Sequence, residues 1–119
     1  MNEPTSDSPG PITATISLSA DIDHPTSAVW KAFADIDQRV RWGVPEGEEM
    51  ICDVDEFRRG GSIRARCGSP GALEYCSAGQ YCAVEPERWL VTTETLTRDG
   101  QILSTAIITW AFAATSRGT

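Results

Sequence analysis

The sequence predicts an α+β domain: one strand, two short helices, then five strands in an antiparallel meander. Three observations carry this expectation. Apolar and polar residues alternate without a break over residues 12–22, the pattern of a half-buried antiparallel strand. Apolar residues at helical spacing occur only within residues 25–42. Over residues 50–113 strand-like runs follow one another, separated by glycine, proline and an Asp-Gly pair. That order leaves no place for a βαβ repeat and excludes a doubly wound sheet.

Each element has its own local cause. Residues 1–11, MNEPTSDSPGP, are polar and carry Pro4, Pro9, Gly10 and Pro11 as breakers; they are expected to be a disordered tail. A single domain over residues 12–119 follows. Its first strand turns Ile12, Ala14, Ile16, Leu18, Ala20 and Ile22 to one face. Asp23-His24-Pro25 ends it and opens a helix, proline being suited to the first helical position. Val29, Phe33 and Ile36 mark that helix's apolar side, with Trp30 and Ala34 beside them. A second helix is expected over residues 37–42, before Gly43 and Pro45 break it. Residues 50–57 read as a strand with Met50, Cys52 and Val54 inward and Asp53 and Asp55 outward. Gly60-Gly61 turns the chain, and Ile63, Ala65 and Cys67 alternate with Arg64 and Arg66. After a loop at residues 68–71, a longer strand takes residues 73–84 and ends at Glu85-Pro86-Glu87. Tyr75 and Tyr81 share one of its faces, since their numbers differ by an even count.

The last hairpin, RWLVTTETLTRDGQILSTAIITWAFA, organises the sheet. Asp99-Gly100 between two β-prone runs signals a two-residue type I′ loop, which needs positive φ at both positions. That loop sets Arg98 opposite Gln101. An unbroken register then pairs Thr97 with Ile102, Thr95 with Ser104, Thr93 with Ala106, Val91 with Ile108 and Trp89 with Trp110. This set holds no charge, whereas the other face carries Glu94. The uncharged face is therefore expected to look inward. Its hydroxyls, costly in a dry core without partners, suit a lined pocket as well as they suit local bonding across the ladder.

Composition narrows the function classes. The chain has 119 residues, a formal net charge of −7 and an ordinary apolar share of 40%. That charge argues against nucleic acid and anionic membrane surfaces, which require clustered cations. No apolar run has the length of a membrane-spanning helix, and the N-terminus lacks the basic start and apolar block of a signal peptide. A cytoplasmic location is expected. Cys52, Cys67, Cys76 and Cys82 have no CxxC spacing and no neighbouring histidine, so they are read as reduced, structural cysteines and not as metal ligands. No metal or nucleotide cofactor is expected. His24, the lone histidine, sits at a helix start and suits a turn or cap. Asp53, Asp55 and Glu56 lack the shielded cleft that acid–base carboxylate pairs need.

The run of motifs HPTSAVWKAFAD, Trp42-Gly43 with Pro45, EFRRGGSIRAR, GQYCAVEPERWLV and Arg117-Gly118-Thr119 resembles the family named after the activator of the 90-kDa heat-shock chaperone's ATPase. That family lies within the START/SRPBCC superfamily. The resemblance covers residues 13–119 in order and spacing. Members often carry two prolines before Glu-Arg-Leu; this chain has Pro86 alone and inserts Trp89. The resemblance implies a helix-grip fold, a curved antiparallel sheet gripping a long C-terminal helix over a cavity. It also implies a hydrophobic or amphipathic small-molecule ligand. By the same analogy one strand and the long helix that follow the Gly-Thr pair in such proteins are missing here, and a homodimer through the open sheet edge or face is expected in compensation.

The ligand is expected to be apolar or aromatic. Trp89, Val91, Ile108 and Trp110 would hold it, Thr93, Thr95 and Ser104 would orient it beside Ala106, Trp42 would stand at the rim, and Tyr81 would offer a hydroxyl. Two other classes compete. A cyclase- or hydratase-like enzyme would use the same pocket with Tyr81 as acid or base. A chaperone ATPase-activating partner follows from the family's name, although the eukaryotic activators carry an additional N-terminal domain.

Overall fold

A computed structural model describes residues 10–119. The tail expected over residues 1–11 lies outside the described residues except for Gly10 and Pro11, which are exposed and unpaired.

Two helices come first. α1 spans Thr26–Ala34 and α2 spans Ile36–Trp42. Pro25 stands at the N-cap of α1 with extended backbone, and its carbonyl accepts from the amides of Ala28 and Val29. Asp35 separates the helices and serves both. Its extended backbone ends α1, while its carboxylate accepts from the Asp37 amide at 2.9 Å and caps α2, as short acidic side chains do. Gly43 closes α2 through its amide on the Arg39 carbonyl at 2.8 Å.

Five strands follow in one antiparallel sheet of order β1-β2-β3-β4-β5: Glu49–Asp55, Ser62–Ser69, Ala72–Glu85, Trp89–Arg98 and Gln101–Ala111. The Asp99-Gly100 loop forms as the sequence requires, with φ of 52° and 76° and Arg98 opposite Gln101. Pro70-Gly71 turns β2 into β3, Gly71 supplying φ of 79°.

Two expectations fail, for two different reasons. Residues 12–22 form no strand. Ile12, Ile16 and Leu18 are more than four-fifths exposed, and pairing is confined to Ile22 and Thr119, which exchange amide–carbonyl bonds of 2.8 and 2.9 Å. Alternation states which side chains could face a core, but a strand also needs an edge to pair with, and neither β1 nor β5 takes this segment along its length.

The second failure is one of register. All four strand pairings carry a register shift: those in β1, β3 and β5 reverse the facing of every residue beyond them, and the fourth, at Gly68, falls at the end of β2. In β5, Leu103 is the extra residue: Thr97 pairs with Ile102, but Leu96 pairs with Ser104. Beyond it Leu90 faces Trp110, Thr92 faces Ile108 and Glu94 faces Ala106, while Trp89 faces Ala111. The expected partners Trp89 and Trp110, and Val91 and Ile108, are therefore on opposite faces. In β1 the bulge at Asp53 leaves Val54 exposed and turns Asp55 inward, against the expectation that Asp55 faces out. In β3 the bulge falls at Cys82.

The concave face is consequently the one with Glu94, not the uncharged one. Across the sheet it presents Met50, Cys52 and Asp55, then Ile63, Ala65 and Cys67, then Ser77 and Tyr81, then Leu90, Thr92, Glu94 and Leu96, then Ile108 and Trp110. Gly79 lies in the middle of this face. A Cβ there would sit 1.8 Å from the Thr93 carbonyl oxygen, so β3 and β4 approach closely only because the position is glycine. Most charges are on the convex face, where Arg66 grips Asp53 with two bonds of 2.8 Å.

The helices pack over one end of the concave face through aromatic rings. Phe33 of α1 lies 4.6 Å from Trp42, 5.0 Å from Trp110 and 5.1 Å from Phe112 between centroids. Trp30 meets Phe57 and Phe112, and Phe57 meets Tyr81. These tilted and edge-on contacts are the favoured geometry for aromatic pairs. Among the described apolar and aromatic side chains, only Val29, Tyr81 and Leu90 are buried, and Tyr81 alone is fully so.

Candidate functional site

The helix end and the concave face enclose a cavity of about 220 Å³. Ile63, Ala65, Leu90, Leu96 and Ile108 give its sheet wall an apolar surface, and Phe33, Trp42 and Trp110 close it from the helix side. Trp42 is held there by its indole N–H, which donates to the Ala32 carbonyl at 2.9 Å. A second, shallower depression of about 460 Å³ runs along α1 by Ile22, Val29 and Phe33. It is almost wholly apolar and brings no placed polar group except the edges of His24 and Gln38, so the concave cavity is the chemically informative one.

Three polar side chains meet at the inner end of this cavity. Tyr81, 1% exposed, donates its hydroxyl to Asp55 and accepts from Arg39 Nη1 at 2.7 Å. Arg39 Nη1 also donates to the Phe33 carbonyl at 3.1 Å, and Nη2 lies 2.7 Å from Asp55 Oδ1. That last contact is an ion pair without hydrogen-bond geometry, so Nη2 itself has no hydrogen-bond acceptor. The guanidinium stands 5.9 Å from the Phe57 ring centroid. Burial, and after it the bond to Asp55, raises the Tyr81 pKa well above the ordinary tyrosine value. Burial works against the Arg39 charge, but Tyr81 and Asp55 outweigh it and its pKa is raised. The group is thus a neutral phenol between a carboxylate and a guanidinium. It ties α2 to β1 and β3, two strands that share no backbone hydrogen bond with the helix.

Further along the face, Ser77 donates to Glu94 Oε2 at 3.1 Å. Cys52 and Cys67 line the same wall as free thiols. Burial raises the pKa of both, with Asp55 adding to the effect at Cys52, so neither is an activated nucleophile. Among the described residues no three His, Cys, Asp or Glu side chains converge as a metal site would require.

Of the residues expected to line a pocket, Trp42, Tyr81, Ile108 and Trp110 do line this cavity. Ser104 and Ala106 share its face by register, nearer the turn. Trp89, Val91, Thr93 and Thr95 are on the convex side: Arg88 covers Trp89 at 4.7 Å, Thr93 Oγ1 accepts from the Gln80 amide, and Thr95 meets Thr105. Arg39, Asp55, Ser77 and Glu94 were not anticipated. Arg39 carried no signal apart from its place on the second helix. Asp55 was assigned to the outer face by an alternation that the bulge in β1 interrupts, and Glu94 by the expectation that a face carrying a charge looks outward.

A curved antiparallel sheet with an apolar concave face, closed at one end by two short helices, defines a protein of the helix-grip class. The profile of one family within that class, described as "Activator of Hsp90 ATPase homolog 1-like protein", matches residues 23–119, and the chain belongs to this family. Solved structures agree in fold. A crystal structure of a Chromobacterium violaceum protein superimposes with a TM-score of 0.74 at 22% identity, over 82% of this chain and 67% of that one. A Rhodobacter sphaeroides protein gives 0.72 at 21%, over 83% and 63%. A Mycobacterium smegmatis protein gives 0.68 at 16%, over 80% and 61%. The chain thus spans about two thirds or less of the length of these structures. No curated protein matches the chain. Among the described residues no helix is long and apolar enough to cross a membrane.

Proposed function

We propose that this protein binds a small hydrophobic or aromatic molecule in the concave cavity. The observation that carries the reading is the cavity's composition. Its walls are aliphatic and aromatic, and its polar groups are few and placed, which is the usual character of a small-molecule site. At about 220 Å³ it suits a ligand of one ring or a short chain, below the roughly 300–1,000 Å³ of drug-sized sites. Family membership supports the reading, since helix-grip proteins commonly bind hydrophobic ligands.

The enzyme alternative rests on Tyr81, and its surroundings favour binding over proton transfer. Its hydroxyl proton is committed to Asp55 and its oxygen accepts from Arg39, so a ligand would find no free acid or base there. No observation favours the chaperone-partner alternative beyond the family's name.

The test is calorimetric titration with 4-phenylbutan-1-ol, an uncharged probe with a single ring and a short chain. Ala65→Phe fills the cavity wall and should weaken binding at least about tenfold, a loss of about 1.4 kcal/mol. Asp53→Ala on the convex face should leave binding unchanged. Equal affinities for both variants and the parent chain would place the probe elsewhere and end the proposal.

A further inference from the structure

The cavity's charges are unbalanced, and the imbalance specifies a ligand. Glu94 and Arg39 line it, and Asp55, outside the lining, is paired with Arg39. Arg39 is spent on Asp55, 2.7 Å away, and on the Tyr81 hydroxyl. Glu94, in the middle of β4, has no ion-pair partner among the described residues. The chain's ten lysines and arginines all lie within the described residues, and Arg39 is the only one lining this cavity. Ser77 satisfies one Glu94 oxygen at 3.1 Å, and among the described residues no side-chain or backbone donor reaches the other. The carboxylate is half-buried on a wall of mainly uncharged side chains, Ala65, Leu90, Leu96 and Ile108 with Cys67 and Thr92 between them. A charge partly removed from water without a counter-ion is unfavourable, and a partner of opposite sign relieves it.

We infer that the ligand carries a cationic nitrogen, an ammonium or amidinium attached to an apolar ring or chain, and that Glu94 is its anchor. The inference rests on the ligand-binding reading above and names the ligand class for the same cavity. The ammonium donates to the free Glu94 oxygen while the apolar part lies along the sheet wall. Trp42 and Trp110, whose ring centroids are 6.3 Å apart, line the same cavity, and tryptophan faces attract cations. An anionic ligand would meet Glu94, and the one cation lining the cavity, Arg39, already has Asp55 as its counter-ion. The charged group on the concave face thus selects by sign, while the aliphatic wall selects by shape.

Three probes with one apolar part decide the matter: 4-phenylbutylamine, 4-phenylbutan-1-ol and 4-phenylbutyrate, titrated calorimetrically into the 119-residue chain. The amine should bind at least about tenfold more tightly than the butyrate, with the alcohol between them, as a charge-assisted hydrogen bond would give. Glu94→Gln keeps an acceptor for Ser77 and removes the charge. It should lower amine affinity about tenfold and change alcohol affinity less than about twofold. Glu85→Gln, at the exposed end of β3, lowers the net negative charge equally and should leave all three affinities as they were. If the alcohol binds but the amine has no advantage, or if Glu94→Gln and Glu85→Gln act alike, the cationic inference is overturned and the apolar cavity stands. If no probe binds, or if Ala65→Phe leaves all three affinities unchanged, the cavity reading itself falls and the inference falls with it.

Discussion

Asp53 and Asp55 are separated by one residue, and regular alternation would set both in solvent. The bulge at Asp53 divides them. Asp53 stays on the convex side with Arg66, and Asp55 turns under α2 to meet Arg39 and Tyr81. Asp55→Ala would leave the Arg39 guanidinium, 14% exposed, without its counter-ion. Breaking a buried pair from one side costs about 3–5 kcal/mol, whereas losing an exposed pair such as Asp53–Arg66 has little effect. Urea unfolding of Asp55→Ala and Asp53→Ala should therefore show a large loss for the first and a small one for the second; similar losses would remove Asp55 from its anchoring role. Tyr81 adds a pH signature. Its pKa is raised in the folded protein, so below the ordinary tyrosine value of about 10 the phenol is neutral in both folded and unfolded chains, its stabilising contribution is fully present, and it adds no pH dependence. Above that value the unfolded chain loses the proton first, and stability falls as pH rises, by up to about 1.4 kcal/mol per unit. Tyr81→Phe should be less stable at neutral pH by about 1–3 kcal/mol and should show a shallower decline above pH 10. Parallel declines in the two proteins would show that Tyr81 does not titrate differently on folding.

At the scale of elements, legibility depended on whether a conformation demands a residue type. The Asp99-Gly100 loop was readable because positive φ at two consecutive positions restricts the residues that can stand there. Both helices were readable from apolar spacing and from Pro25, Gly43 and Pro45. The bulges at Asp53, Cys82 and Leu103 were not, because an extra extended residue can be of almost any kind. Each one silently exchanges the two faces of its strand. The bulge at Leu103 is why Ile108 and Trp110 line the cavity without Trp89 and Val91. Trp89, Val91, Thr93 and Thr95 were placed on the wrong face, and Glu94 passed over, because the uncharged face of β4 was taken as the inner one. Gly79 is the one element-level feature that sequence marks without explaining. Alanine there would press its Cβ against the Thr93 carbonyl, force β3 from β4 and disturb the Gln80 amide bond to Thr93 Oγ1. Gly79→Ala should lower stability by about 1–3 kcal/mol, the range for overpacking a close contact, with faster amide hydrogen exchange at Gln80. A neutral substitution with unchanged exchange would mean that the two strands can part at no cost.

The whole molecule is open in a way that its parts do not reveal. Its radius of gyration is 17.0 Å, against about 13–14 Å for a compact chain of this length. Trp42, Trp110, Ile102, Leu103 and Ile107 are each at least two-fifths exposed. The alternating residues 12–22 have the pattern of a strand and pair only through Ile22 and Thr119. β5 is an edge strand of eleven residues, with unpaired backbone groups along its outer side and apolar side chains on both faces. Such an edge pairs readily with another chain, and soluble monomers rarely leave apolar patches beyond a few hundred Å² uncovered. We expect the 119-residue chain to self-associate, with two copies of β5 meeting antiparallel about a two-fold axis, since the commonest closed assembly places the same surface on both partners. Ile107, 77% exposed on the convex side of that edge, is the position to probe. Ile107→Lys puts a charge beside its own copy and should shift sedimentation from dimer toward the 12.9 kDa monomer while leaving far-ultraviolet circular dichroism unchanged. A parent chain that sediments as a monomer at every concentration would refute the edge-paired dimer, and a dimer indifferent to Ile107→Lys would move the contact from the β5 edge to the concave face.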